Sequence, residues 1–246
     1  MNNYMAVIEY DGTKFNGFQI QPEGTRTVQQ ELISVLSMVL NRDTDICYAG
    51  RTDAGVHAKG QVIGFKSDKE LDLYRFRWSI NGLLPDDIAV KEIKRASISF
   101  DSRRDAKLRE YTYYVVNADY HSVFLKKYSI LITQKLDLKT MRRVAGVFAG
   151  EHDFAPFASP GVKKEYTRRK IYDFTIDRES PGMLVFKIKA NSFLYNMVRI
   201  IVGTILEVGK GEREIKDIKQ AAMSGEGNFV SSMAPAKGLF LTRVEY

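Results

Sequence analysis

Apolar positions along the chain recur with two different periods, and the switches between them predict the elements. Residues 4–10 form a short β-prone run that stops at Asp11-Gly12, a strand followed by a turn. A polar, aromatic loop occupies 13–26. Thr27-Val28-Gln29-Gln30 then has the spacing of a capping box, and Val28, Leu32, Val35, Leu36 and Val39 recur at helical intervals, which predicts an amphipathic helix. Residues 45–49 and 61–66 predict two strands, 71–83 a helix, Pro85-Asp86-Asp87 a turn and 88–96 another strand. The order is β-α-β-β-α-β. Asp86 and Asp87, next to a proline, read as turn and solvation residues rather than an acid/base pair.

The second half repeats that order without repeating its residues. Residues 109–116 alternate as a strand, with Arg109, Tyr111, Tyr113 and Val115 on one face and Thr112, Tyr114 and Val116 on the other. A helix is predicted over 141–148 and a hairpin over 170–177 and 183–190, turning at Ser180-Pro181-Gly182. Another helix starts near Phe193, with Leu194, Met197, Val198, Ile201 and Ile205 on its apolar side. A short helix near 215–223 and a last strand at 239–245 follow. The fold class predicted is α+β: two split-βαβ, ferredoxin-like halves, 1–104 and 105–246, with antiparallel sheets, helices on one face and a cleft between the halves.

Composition narrows the partners. The 246 residues are 44% hydrophobic and 11% aromatic, enough to bury a sizeable core. Lys and Arg number 37 against 30 Asp and Glu, a formal charge of +7, which favours a polyanionic partner. The chain begins without a basic, apolar leader, and its greasiest segment, 197–206, is too short to span a membrane and contains Arg199, so a soluble cytoplasmic protein is expected. Cys47 is the single cysteine, which leaves no intramolecular disulfide or zinc-thiolate cluster. His57, His121 and His152 lack metal-ligand spacing.

Candidate chemistry centres on Tyr48-Ala49-Gly50-Arg51-Thr52-Asp53-Ala54-Gly55-Val56-His57-Ala58, where Gly50 and Gly55 would let the segment between them take a strained, protruding course with Asp53 at its tip. Taken alone, such an Asp is better explained as a cap on turn amides. Arg199, among apolar helix neighbours, calls either for an anion or for a path along the helix edge to water, and Asp53 is a natural carboxylate for it. Tyr111 by itself reads as cross-strand packing. Gly209-Lys210-Gly211 lacks the fuller phosphate-loop pattern and reads as a helix C-cap. Basic clusters at Arg103-Arg104 with Lys107 and Arg109, and at Lys163-Lys164 with Arg168-Arg169-Lys170, interleave with Phe100, Tyr111, Phe157 and Tyr166, a mixture that suits a single-stranded or stem-loop RNA.

Gly50-Arg51-Thr52-Asp53-Ala54-Gly55-Val56-His57-Ala58 resembles the active-site motif of the tRNA pseudouridine synthase A family. Further landmarks of that family follow in order: Tyr10-Asp11-Gly12 with Phe15, Gly17 and Phe18-Gln19; Thr27-Val28-Gln29; Leu84-Pro85-Asp86-Asp87-Ile88; Arg109-Glu110-Tyr111; Gly150-Glu151-His152-Asp153-Phe154; 193–199; and 234–239. Ser102 stands where alanine is usual. The resemblance implies an isomerase, an intramolecular transferase, that converts uridine to pseudouridine at positions 38, 39 and 40 in the anticodon arm of tRNA, as a homodimer and with no cofactor or metal. It implies Asp53 as the essential carboxylate, Arg199 as its basic partner, Tyr111 as the aromatic that contacts the target base and Leu194 as apolar wall. Arg51, Arg103, Arg104, Lys163 and Lys164 complete the expected substrate-binding set. Whether the carboxylate attacks the sugar, attacks the base or removes a sugar proton stays open. A non-catalytic protein with tandem RNA-recognition halves is the alternative, but Lys59-Gly60-Gln61-Val62-Ile63-Gly64-Phe65 lacks the stacking aromatics of that class. A glycoside hydrolase would need a second convincing carboxylate.

Overall fold

The computed structural model describes residues 1–22, 24–159, 166–224 and 232–246. Among them, ten strands and five α-helices make a mixed α+β fold. The chain divides into two compact units, Met1–Lys107 with Phe240–Tyr246, and Leu108–Leu239. No helix among the described residues is long and apolar enough to cross a membrane.

The first unit runs β1 (Asn2–Tyr10), α1 (Val28–Leu40), β2 (Ile46–Tyr48), β3 (His57–Ser67), α2 (Leu73–Leu83) and β4 (Ile88–Ala96). β1 lies antiparallel between β4 and β3, and β2 pairs antiparallel with the far part of β3, Ile46 opposite Phe65 and Tyr48 opposite Ile63. This is the split-βαβ order that the sequence predicts. Thr27 caps α1 by accepting from the Gln30 amide at 3.4 Å, and Val28, Leu32, Val35 and Leu36 are its buried positions. Tyr4, Phe65 and Phe76 stack in series, with centroids 5.5 and 5.7 Å apart, at the centre of the core.

Asp87 does more than solvate a turn. The Arg26 guanidinium donates to both its carboxylate oxygens at 2.8 and 2.9 Å, donates to Glu31 at 2.7 Å and lies 4.2 Å over the Phe15 ring. The Asp87 carboxylate raises the Arg26 pKa above its ordinary value. This fork ties the entry of α1 to the turn before β4, an ion pair between residues 61 positions apart that local pattern does not reveal.

The second unit runs β5 (Leu108–Asn117), β6 (Ile130–Ile132), α3 (Leu138–Val147), β7 (Gly150–Asp153), β8 (Arg168–Ser180), β9 (Met183–Ala190), α4 (Met197–Gly209) and α5 (Ile215–Ser224). β5, β9, β8 and β7 are successive antiparallel neighbours, and β6 adds a short parallel pairing to β5. Arg109, Tyr111, Tyr113 and Val115, the predicted face of β5, are all buried. α4 starts four residues later than the apolar pattern from Phe193 implies, because Asn196 at its N-cap is left-handed (φ 61). The last strand, β10 (Leu239–Glu245), runs parallel to β3 in the first unit, Phe240 opposite His57 and Leu241 opposite Ala58.

Arg103 and Arg104 are exposed on a turn whose amides both donate to Asp101, at 2.8 and 2.9 Å; those bonds, Arg104's foremost, hold the Asp101 carboxyl below its usual range. Between them and Asp101 sits Ser102, fully buried, with its carbonyl accepting from the Tyr246 hydroxyl at 2.9 Å. Its own hydroxyl has no hydrogen-bond partner. An unmet buried hydroxyl is a cost that alanine would not carry, so Ser102→Ala should raise unfolding stability by about 1 kcal/mol in urea titration. A loss of stability would mean that the hydroxyl is satisfied in solution.

Candidate active site

The loop between β2 and β3 is built from inside the first unit. The Ala49 amide donates to Val62 at 2.9 Å, and the Gln61 side-chain amide donates to the Gly50 carbonyl at 2.6 Å, which closes the stem. Thr52 is then held at both ends: its hydroxyl meets the Tyr10 hydroxyl at 2.7 Å, and its carbonyl accepts from the Phe18 amide at 3.0 Å. Burial pushes the Tyr10 pKa above its ordinary value, which keeps that hydroxyl neutral. The Gly55 amide donates to Phe15 at 3.2 Å, and the Val56 amide donates back to the Asp53 carbonyl at 3.1 Å. Asp53 is therefore a half-buried residue on a braced turn, with Arg51 exposed two positions before it.

The brace is the segment that follows β1. Gly12 passes so close to Val56 that a Cβ there would sit inside the Val56 carbonyl. Gly17 has φ +95 and would place a Cβ 2.9 Å from the Thr52 carbonyl. His57, the first residue of β3, is buried and stacks on Phe240 with centroids 4.5 Å apart; the Gly12 amide donates to its Nδ1 at 3.0 Å, and Asp11 Oδ1 lies 3.1 Å from the same nitrogen. Tyr10, Phe15, Gly17 and His57 were visible in the sequence as landmarks of a resemblance; their bracing role needed the tertiary contact. One expectation changes. Gly55 does take a positive φ of 76°, but Gly50 does not, and a Cβ on Gly50 would meet nothing within 4 Å.

A second constellation belongs to the other unit. Tyr111 on β5 is 8% exposed, with its ring edge-on to Phe193 at 5.1 Å; Leu194, next in the chain, is also buried. Arg199, in the first turn of α4, is half-buried; its Nε donates to the Ala234 carbonyl at 2.8 Å and its Nη1 to Asn196 Oδ1 at 3.2 Å. The Ala234 amide returns a bond to the Arg199 carbonyl at 3.0 Å, and Asn196 is itself anchored to Ser159 at 2.8 Å. Two of the guanidinium's donors are thus taken by neutral oxygens of its own unit. Lys163 and Lys164 lie outside the described residues. Among the described residues no three His, Cys, Asp or Glu side chains gather as a metal-binding group.

The chain matches known proteins over its whole length. A family model described as tRNA pseudouridine synthase matches residues 6–103 and 144–246. The tRNA pseudouridine synthase A of Citrifermentans bemidjiense is 40% identical over 247 residues, covering 100% of this chain and 98% of that one. The tRNA pseudouridine synthase A of Acetivibrio thermocellus is 38% identical, and the tRNA pseudouridine synthase A 2 of Bacillus thuringiensis subsp. konkukian 35%, each over 100% of both chains.

The two glycines that flank the loop in space and in sequence should respond differently to a methyl group. Gly12→Ala should cost about 2–3 kcal/mol in denaturant titration, because backbone must move to admit the Cβ. Gly50→Ala should lie within about 0.5 kcal/mol of the parent. Equal costs would contradict the close passage of Gly12 over Val56.

Proposed function

The chain belongs to the tRNA pseudouridine synthase family, and from that premise we propose that it isomerises uridine to pseudouridine in the anticodon arm of tRNA, at positions 38 to 40, with Asp53 as the essential carboxylate. In that reaction the bond from N1 to C1′ breaks, the freed uracil turns, and C5 joins C1′ while the hydrogen on C5 is exchanged for one on N1. Atoms and electrons balance without an outside oxidant or reductant. The observation that carries the assignment to Asp53 is the brace: the turn on which it sits is held by Tyr10, Phe15 and Phe18 from a separate segment. A carboxylate that must attack the sugar or base, or remove a sugar proton, gains from being held in one place before the substrate arrives.

The remaining roles follow. Tyr111 contacts the target base and Leu194 lines the apolar wall beside it. Arg199 is the basic partner that keeps Asp53 ionised. Arg51, Arg103, Arg104, Lys163 and Lys164 take phosphates, whose attraction offsets the few kcal/mol needed to draw a base out of its stack. The first unit, Met1–Lys107 with Phe240–Tyr246, supplies the carboxylate and the second, Leu108–Leu239, the tyrosine and arginine. The working form is a cytoplasmic homodimer.

Release of tritium from C5-labelled uridine in unmodified tRNA, with no free uracil, is the expected signature. Asp53→Asn should lower that release at least about a thousandfold while tRNA still binds. Full activity in this variant would remove Asp53 from the mechanism. Arg199→Met should lower turnover more than affinity, and adding it to Asp53→Asn should cost nothing further; independent effects would contradict the pairing.

A further inference from the structure

Between β5 and β6 the chain makes an excursion over residues 118–129 that is firmly built yet turns its largest apolar groups outward. Its two ends are clamped by Asn117, whose side-chain amide donates to the carbonyls of Ile132 and Gln134, both at 2.8 Å. Inside it, two successive turns are closed by the Leu125 amide on Ser122 at 3.0 Å and the Tyr128 amide on Leu125 at 2.9 Å. The Ser129 hydroxyl donates to the Leu125 carbonyl at 2.8 Å and meets His121 Nε2 at 2.9 Å. At the apex, Tyr120, Val123 and Phe124 are 75%, 77% and 84% exposed. Burying such groups is favourable, so a rigid loop that displays three of them together calls for a partner surface.

The surrounding charge indicates which partner. Lys126 and Lys127 lie two and three residues after Phe124 and are exposed, against one acidic side chain, Asp119, on the same excursion. Lys237, also exposed, stands near enough to join burial and Lys126 in lowering the His121 pKa. A second copy docked face to face would set these lysines against their own kind, whereas a nucleic acid offers phosphates to them and base faces to the aromatic apex. We infer that the excursion between β5 and β6 is an RNA-docking knuckle, in which Phe124 stacks on an exposed base of the tRNA while Lys126, Lys127 and Lys237 hold the adjoining phosphates. This rests on the tRNA reading above and adds a contact separate from the residues assigned to the reacting base. Because the loop is already ordered by its own hydrogen bonds, little further ordering opposes the docking.

Full-length protein and unmodified tRNA test it, with binding measured across a salt series and pseudouridine formation followed in parallel. Phe124→Ala should weaken tRNA binding about tenfold, and Phe124→Tyr should restore it. Lys126→Glu with Lys127→Glu should weaken binding and flatten the dependence of log K on log salt by roughly one and a half units, the loss of about two phosphate contacts. In both variants KM for tRNA should rise while turnover at saturation is kept. Met38→Ala, which trims another exposed apolar group, on α1 (64% exposed), should change neither. An active wild-type protein whose Phe124 and lysine variants bind tRNA with unchanged affinity and salt slope would overturn the knuckle alone. So would variants that only shift the sedimentation of the protein between oligomeric states, since a second copy would then be the occupant. Wild-type protein that neither binds nor modifies tRNA would overturn the functional reading, and the knuckle with it.

Discussion

The backbone of the segment after β1 crosses the Asp53 loop without room for a side chain between them. Gly12 lies against Val56 and Gly17 against Thr52, and the amides and carbonyls left over at this crossing pair with each other: Phe18 with Thr52, Gly55 with Phe15. A loop of small residues would otherwise be free to sample many shapes, at a cost of about 1–2 kcal/mol per residue to fix. Here that ordering is supplied on folding, by contacts that do not involve the substrate. The rest of the first unit is arranged to deliver the crossing. β1 ends at Tyr10, whose hydroxyl reaches Thr52, and Arg26 grips Asp87 so that the segment returns to α1 along a fixed path.

The second unit treats its cation in a similar way. Arg199 is not simply an arginine on a greasy helix; the carbonyl of Ala234 and the side chain of Asn196 each take one of its donors, and Asn196 is in turn tied to Ser159. Tyr111 is packed edge-on to Phe193 on a strand whose neighbours are buried. The turn that carries Asp53, the Arg199 guanidinium and the Tyr111 ring are thus each braced by contacts within their own unit. Preorganisation of this kind suits a reaction that breaks a carbon–nitrogen bond and makes a carbon–carbon bond at one sugar carbon.

Much of this was legible in the residues, and the exceptions have physical causes. Long, strongly periodic elements were readable to their ends: β4 and β10 occupy the predicted 88–96 and 239–245, and the cap at Thr27 starts α1 where the box of Thr27 and Gln30 implies. β6 and β7, with three and four residues, are too short to display a period; β7 is Gly-Glu-His-Asp and is a strand only because β8 runs beside it. The loop read around Asp53, residues 50–60, is shorter at its far end, since His57 and Ala58 already belong to β3, held there by pairing with β10 from the far end of the chain. The aspartate and arginine could be picked out as residues in need of explanation. That Gly50 is dispensable in conformation and Gly12 and Gly17 are not could only come from the tertiary crossing.

If turnover depends on the crossing, Gly17→Ala should reveal it, because its Cβ would press on Thr52 one residue from Asp53. The measurement is the single-turnover rate of pseudouridine formation in unmodified tRNA, taken beside tRNA affinity and the circular-dichroism spectrum of the variant. A folded variant that binds tRNA normally but reacts about a hundredfold more slowly is the predicted result, the penalty for a misplaced reacting group. A folded variant that reacts at the wild-type rate would contradict the account.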